Sequence, residues 1–265
     1  MEITAIENYI VDTNNLTIPN KGLGNYKCGF TEERKPFNLQ NIWLNLLPFF
    51  GQILFIAHLL RHWWVRTHPC RILLYQNGFI KQSLDSHGNV KKENVFNFST
   101  IKGILNDRVR QFQSIYGIRR YNCTTVKMWV LDANNTKVHV LGGAYRNKEE
   151  IEGNYNFIGY ACNAISDAWN EIALNNFNRE LLAKGYATFY TPKKEILVGR
   201  NFIKSGDMEI RPGFSYRFDN GYLYLYPDEG NKSFWKGKKS LSINVASMYN
   251  KEIFLAAISQ FHGIQ

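Results

Sequence analysis

Arg71-Ile-Leu-Leu-Tyr-Gln-Asn-Gly78, followed without a break by Phe79-Ile-Lys-Gln-Ser83, holds two short apolar runs separated by Asn-Gly. That dipeptide accepts the positive backbone angles of a tight turn, so between two apolar runs it predicts an antiparallel hairpin. The neighbouring sequence repeats the texture. Ser86-His-Gly-Asn89 reads as the next turn, and Val95-Phe-Asn-Phe98 leads into Ile101-Lys-Gly-Ile-Leu105. Arg119 to Val130 and Lys137 to Leu141 read as another hairpin, joined by Asp132-Ala-Asn-Asn-Thr136. Thr125, Val126, Met128, Trp129 and Val130 suit a pleated sheet.

Beyond Asn147 the period changes. Glu149 to Lys184 reads as one long helix, because Phe157, Ile158, Ala161, Ile165, Ala168, Trp169 and Ile172 recur at intervals that put them on one face. Gly185 supplies a C-cap. Strands return after Pro192, at Ile196–Val198, Phe202-Ile203, Met208–Ile210, Ser215–Phe218 and Tyr222–Tyr226, with Asn220-Gly221 as a second Asn-Gly turn. Lys239–Ile243 reads as the last strand. A closing helix runs from Asn250 to Gln260, with Asn250 as N-cap and Ile253, Phe254, Ala257, Ile258 and Phe261 as its apolar stripe. Strands followed by a helix therefore occur twice. The fold class expected is α+β: two tandem pleckstrin-homology-like (PH-like) modules, each a bent antiparallel sheet closed by a C-terminal helix.

Several stretches carry a resemblance. Leu23-Gly24 precedes an apolar region, and Arg71 to Gly78 reads as an opening strand and turn. Phe98-Ser-Thr-Ile101 stands where such modules have a Trp-Asp-Glu-Ile-like element, although the Trp and both acids are absent here. Leu182-Ala-Lys-Gly185 with Ala187-Thr-Phe189 is similar to a join between modules, and Ser247-Met-Tyr-Asn250 to the entry of a final helix. On these motifs the chain resembles an uncharacterised bacterial domain-of-unknown-function family of tandem PH-like modules. The resemblance covers most of residues 70–262 and implies the fold; it carries no activity, cofactor or site residue.

Upstream lies the longest apolar segment. Pro36 to Leu60 has no Lys, Arg, Asp or Glu, and its dense part is Ile42-Trp-Leu-Asn-Leu-Leu-Pro-Phe-Phe-Gly-Gln-Ile-Leu-Phe-Ile-Ala-His-Leu-Leu60. As helix it would rise about 28 Å, against roughly 30 Å for a bilayer's hydrocarbon core. Pro48 and Gly51 leave open a hairpin in one leaflet, or a helix buried in protein. Arg61, Trp63, Trp64 and Arg66 follow directly, as indole rings and cations do at a membrane interface, and they are the candidate binding residues. The division expected is an irregular tail over 1–41, an apolar membrane-associated segment over 42–66, a first module over 70–186 and a second, smaller one over 190–265.

Charge agrees with that arrangement. Residues 1–60 carry four basic and five acidic residues, whereas residues 61–265 carry 28 and 17. Cations on the C-terminal side of a span place that side in the cytoplasm, and with the bacterial origin that the resemblance implies, an inner-membrane location is expected. A net charge of +10 also suits nucleic acid, but the basic residues are dispersed and no zinc-finger or RNA-recognition pattern is present. Cys28, Cys70, Cys123 and Cys162 have no C-x-x-C spacing, and His58, His62 and His68 lack a nearby acid. No metal, no cofactor and no catalytic residue is expected. Gly22-Leu-Gly24 and Gly142-Gly143 read as turns, as do Asp85, Asp107, Asp132, Asp219 and Asp228. Two basic-aromatic sets stand out: Arg108, Arg110, Arg119 and Arg120 with Phe112 and Tyr116 around a strand-to-strand loop, and Lys232 to Lys239 with Phe234 and Trp235. The function expected is a non-enzymatic, membrane-associated scaffold whose partner is membrane lipid, or a protein. The alternatives are a soluble oligomeric interaction protein with the apolar segment buried, and an enzyme with an unrecognised site.

Overall fold

The structure, a computed structural model, describes residues 21–31, 70–85, 87–115, 117–145, 157–227 and 240–264. In order, the elements are β1 (Tyr26–Thr31), β2 (Cys70–Tyr75), β3 (Gly78–Leu84), β4 (Val90–Asn97), a single 3-10 turn (Phe98–Thr100), β5 (Ile101–Ile115), β6 (Ile118–Asp132), β7 (Lys137–Tyr145) and helix α1 (Phe157–Lys184). Then come β8 (Tyr186–Tyr190), β9 (Glu195–Gly199), β10 (Phe202–Ser205), β11 (Met208–Ile210), β12 (Ser215–Asp219), β13 (Tyr222–Tyr226), β14 (Leu241–Asn244) and helix α2 (Lys251–His262). The chain is α+β, and every strand pairing is antiparallel. Four sheets are ordered β1-β2-β3-β4, β5-β6-β7, β8-β9-β10-β11 and β12-β13-β14; none closes into a barrel among the described residues. A four-stranded sheet, a three-stranded sheet and a helix thus follow one another twice.

The chain divides into two compact units, Met1–Ser99 with Asn147–Ile165, and Thr100–Arg146 with Ser166–Gln265. In the first, Tyr75 pairs with Gly78 across the expected hairpin. The turn is held from outside: Asn77 N–H donates to the Leu23 carbonyl at 2.9 Å and Gln76 N–H to that of Asn25 at 2.8 Å. Leu23, fully buried, packs with Leu73, Tyr75 and Ile80. The tail over 1–41 reads as irregular, yet Tyr26–Thr31 is a strand bonded to β2, with a bulge between Tyr26 and Cys28. The bulge breaks the alternation that a sequence reading needs, and the partner strand lies some forty residues downstream. Asp85 receives the N–H groups of His87 and Asn89 at 2.8 and 2.9 Å, which makes the expected turn.

In the second unit the Asn220-Gly221 turn has φ of 49° and 79°, the doubly left-handed geometry that these two residues tolerate best. Gly185, at φ 78°, ends α1 and donates to the Leu181 carbonyl at 2.9 Å, as expected. The α2 stripe is buried at Ile253, Phe254, Ala257 and Ile258, with Phe189 edge-on to Phe254 at 5.3 Å. Gly142-Gly143 and Asp107 depart from their turn readings. The glycines lie inside β7, where the His139 ring occupies the space that a Gly142 Cβ would need, and Asp107 lies mid-strand opposite Lys127.

Of the α1 stripe, Phe157, Ala161, Ile165, Ala168 and Trp169 are buried, while Ile158 and Ile172 are half-buried. The expected start of this helix, 149–156, lies outside the described residues. So does segment 42–66, expected as a membrane helix or hairpin. Among the described residues no helix is long and apolar enough to cross a membrane.

Candidate functional site

Arg61, Trp63, Trp64 and Arg66 lie outside the described residues, as do Tyr116 and the Lys232–Lys239 set. The arginine set around Phe112 is described, and its form differs from the loop expected. β5 and β6 pair along their whole length, from Ile101 opposite Asp132 to Ile115 opposite Ile118. The connection is confined to residues 116–117, with Gly117 at φ 78°. β7 bonds β6 only from Thr124 to Leu131. Beyond Thr124 the hairpin continues as a two-stranded ribbon for five residue pairs, about 17 Å at strand rise.

Arg119 and Arg120 lie on this ribbon, Arg108 and Arg110 lie at its base opposite Val126 and Thr124, and no Asp or Glu falls between residues 108 and 123. Partners directly opposite share a face, so Arg110, Phe112, Tyr121 and Arg119 stand together. Their contacts agree: the Arg119 guanidinium lies 4.2 Å from the Phe112 ring centroid, and Phe112 meets Tyr121 edge-on at 6.0 Å. The Tyr121 hydroxyl is hydrogen-bonded to that of Thr124 at 2.7 Å. Val109, Arg120 and Ile118 belong to the other face. Three large apolar side chains are open to solvent here, Ile118 at 57%, Val109 at 48% and Phe112 at 40%. With both faces wet, the ribbon shows no period-two hydrophobic pattern. The signal that could have located its exposed apolar residues is the acid-free run itself.

A second site in the same unit centres on Asn250. Its backbone is left-handed, φ 57°, which Asn accepts more readily than other residues with a side chain. It precedes α2 as expected but makes no side-chain cap. Its Oδ1 instead accepts Trp169 Nε1–H at 2.7 Å and the Ile104 N–H at 3.1 Å, while its Nδ2 donates to the Lys102 carbonyl at 3.1 Å. Its own N–H donates to the Ile104 carbonyl at 3.0 Å. One side chain therefore ties α2 to β5 and α1.

Beside it, a depression of about 200 Å³ is lined by Lys102, Trp169, Glu180, Thr188, Tyr190 and Asn250, among others. Its charged groups have partners. Glu180 accepts the Thr188 N–H at 3.0 Å and hydroxyl at 3.1 Å and pairs with Lys184 at 2.7 Å; the Lys102 ammonium donates to Asn135 Oδ1 at 2.8 Å. Burial raises the Tyr190 phenol, with Glu195 and Glu180 adding to it. Another depression, about 250 Å³, is lined by Thr191, Lys193, Lys194, Tyr222 and Ser242, among others, and the Lys194 ammonium reaches the Ser242 carbonyl at 3.1 Å. Among the described residues no three His, Cys, Asp or Glu are gathered as metal ligands.

Comparison of the chain with protein-family models, with curated proteins and with solved structures finds no match.

Proposed function

We propose that this chain is a non-enzymatic binding scaffold of the bacterial inner membrane, with two PH-like modules on the cytoplasmic side. The observation that carries the reading is the doubled order of four-stranded sheet, three-stranded sheet and helix, which agrees with the tandem modules implied by the resemblance. The membrane part rests on the sequence: an uncharged Pro36–Leu60 followed by Arg61, Trp63, Trp64 and Arg66. In this reading the Trp pair packs at headgroup level and the Arg pair contacts phosphates. The scaffold's partner is lipid or a protein held beside it.

Flotation of the purified full chain with phosphatidylcholine vesicles tests this. The reading expects the chain to need detergent for solubility and to float with neutral vesicles at high salt. A chain that stays at the bottom of the gradient, soluble without detergent, would overturn it.

A further inference from the structure

The outer ribbon of β5 and β6 combines three features. It bears Arg119 and Arg120, with Arg110 at its base, and no acid lies between residues 108 and 123; it extends about five residue pairs past the last neighbouring strand among the described residues; and Phe112 and Ile118 on it, with Val109 at its base, are exposed. None of its described side chains is buried, so such a ribbon gains little stability from them, and the like charges of Arg119 and Arg120, with Arg110 at the base, oppose one another. Arg110 and Arg120 make no ion pair with the described residues.

Order along the ribbon distinguishes among anionic partners. Ile118, the most exposed of the three, is the first residue after the turn. Arg119 and Arg120 follow it directly, about 3 and 7 Å back along the strand. Phe112 lies further back, under the Arg119 guanidinium. An aliphatic tip with cations one and two residues behind it matches the layering of a bilayer surface, where acyl chains lie below a phosphate plane. A nucleic acid would reward the charges but not an exposed isoleucine at the tip. A second copy of this chain, itself at +10, is not the complementary partner.

We infer that the β5–β6 ribbon is a membrane-docking arm: Ile118 enters the interface of an anionic bilayer while Arg110, Arg119 and Arg120 contact its phosphates. This deepens the proposed function and rests on that reading for the presence of a bilayer beside the module. It does not use the apolar segment.

Hydrogen–deuterium exchange of the full chain, with vesicles of phosphatidylcholine alone and of phosphatidylcholine mixed equally with phosphatidylglycerol, tests the arm. Peptides spanning 108–123 are expected to gain protection on the anionic vesicles only, and to lose it at high salt. The triple variant Arg110→Gln, Arg119→Gln, Arg120→Gln should weaken arm docking about 100-fold, since each cation near an anionic surface contributes about a fivefold factor. The matching triple Lys variant should stay within a few-fold of wild type, which separates charge from folding. Equal protection on both vesicles, wild-type docking by the Gln triple, or protection by duplex DNA where anionic vesicles give none would overturn the arm. A chain that does not bind neutral vesicles yet is protected at 108–123 on anionic ones would refute the apolar anchor and leave the arm standing.

Discussion

The indole N–H of Trp169 donates to the Asn250 side-chain carbonyl at 2.7 Å, joining two residues 81 positions apart. The same oxygen takes the Ile104 N–H, and the Asn250 amide returns a bond to the Lys102 carbonyl. Asn250→Ala would take one hydrogen bond from each of three groups in a partly buried setting, the Trp169 N–H, the Ile104 N–H and the Lys102 carbonyl. At about 1 kcal/mol or more for each, the expected loss is about 3 kcal/mol, read as a lowered denaturant midpoint. Asn250→Asp keeps the acceptor but not the donor and should fall between. A loss for the alanine variant below about 1 kcal/mol would show that the node does not hold α2 in place.

Tyr249 gives the opposite sign. It is almost fully buried, and its hydroxyl has no hydrogen-bond partner among the described residues. Burial also pushes its phenol above the ordinary tyrosine range. Removing an unsatisfied buried hydroxyl costs nothing in bonding, so Tyr249→Phe should be neutral or stabilising by about 1 kcal/mol in thermal or denaturant unfolding. Clear destabilisation would mean that the hydroxyl has a partner in solution.

Gly78 tests the hairpin of the first unit. A Cβ there would stand 2.2 Å from the Phe96 carbonyl oxygen and 2.9 Å from a Leu23 methyl. The backbone of the paired strand cannot move aside without breaking the β3–β4 ladder. Gly78→Ala is expected to cost about 3 kcal/mol, with loss of near-ultraviolet circular dichroism as Leu23 is displaced. Wild-type stability would contradict the close pairing of Gly78 with Asn97.

His262 supplies a pH dependence. Its Nε2 lies 3.0 Å from the Gly199 carbonyl, so the neutral ring carries its proton there, and Nδ1 is buried with no partner among the described residues. Burial lowers the pKa below the ordinary histidine value, against a smaller opposing effect of the Gly199 bond. The folded state therefore binds this proton less readily than the unfolded chain. The contribution is fully present above the unfolded pKa of about 6.5 and is lost as pH falls from there through the folded value. The unfolding midpoint should fall on acidification below about pH 6.5, and His262→Gln should flatten that part of the profile. An unchanged slope in the variant would exclude His262 as its source.

Local turn chemistry was the legible part of this chain. Asn77-Gly78, Asp132–Thr136 and Asn220-Gly221 each demand backbone geometry or side-chain acceptors that few residues supply, and each is a turn or borders one. The helices showed through their periodic stripes. What did not show depends on distance or on an absent pattern. β1 pairs across about forty intervening residues and is bulged. The ribbon past Thr124 is exposed on both faces, so its arginines read as flanking a loop rather than lying within strands. Asn250 read as a helix cap because that is the local use of such a residue; its partners at Lys102 and Ile104 lie about 146 to 148 positions away, where no spacing rule reaches.

The most direct measurement of membrane association is fractionation of cells expressing the full chain, with the pellet washed first at high salt and then in alkaline carbonate. The proposed scaffold stays in the pellet through both washes, because Pro36–Leu60 holds it there independently of charge. Release of the intact, folded chain by the salt wash, or its recovery in the first supernatant, would contradict an integral anchor.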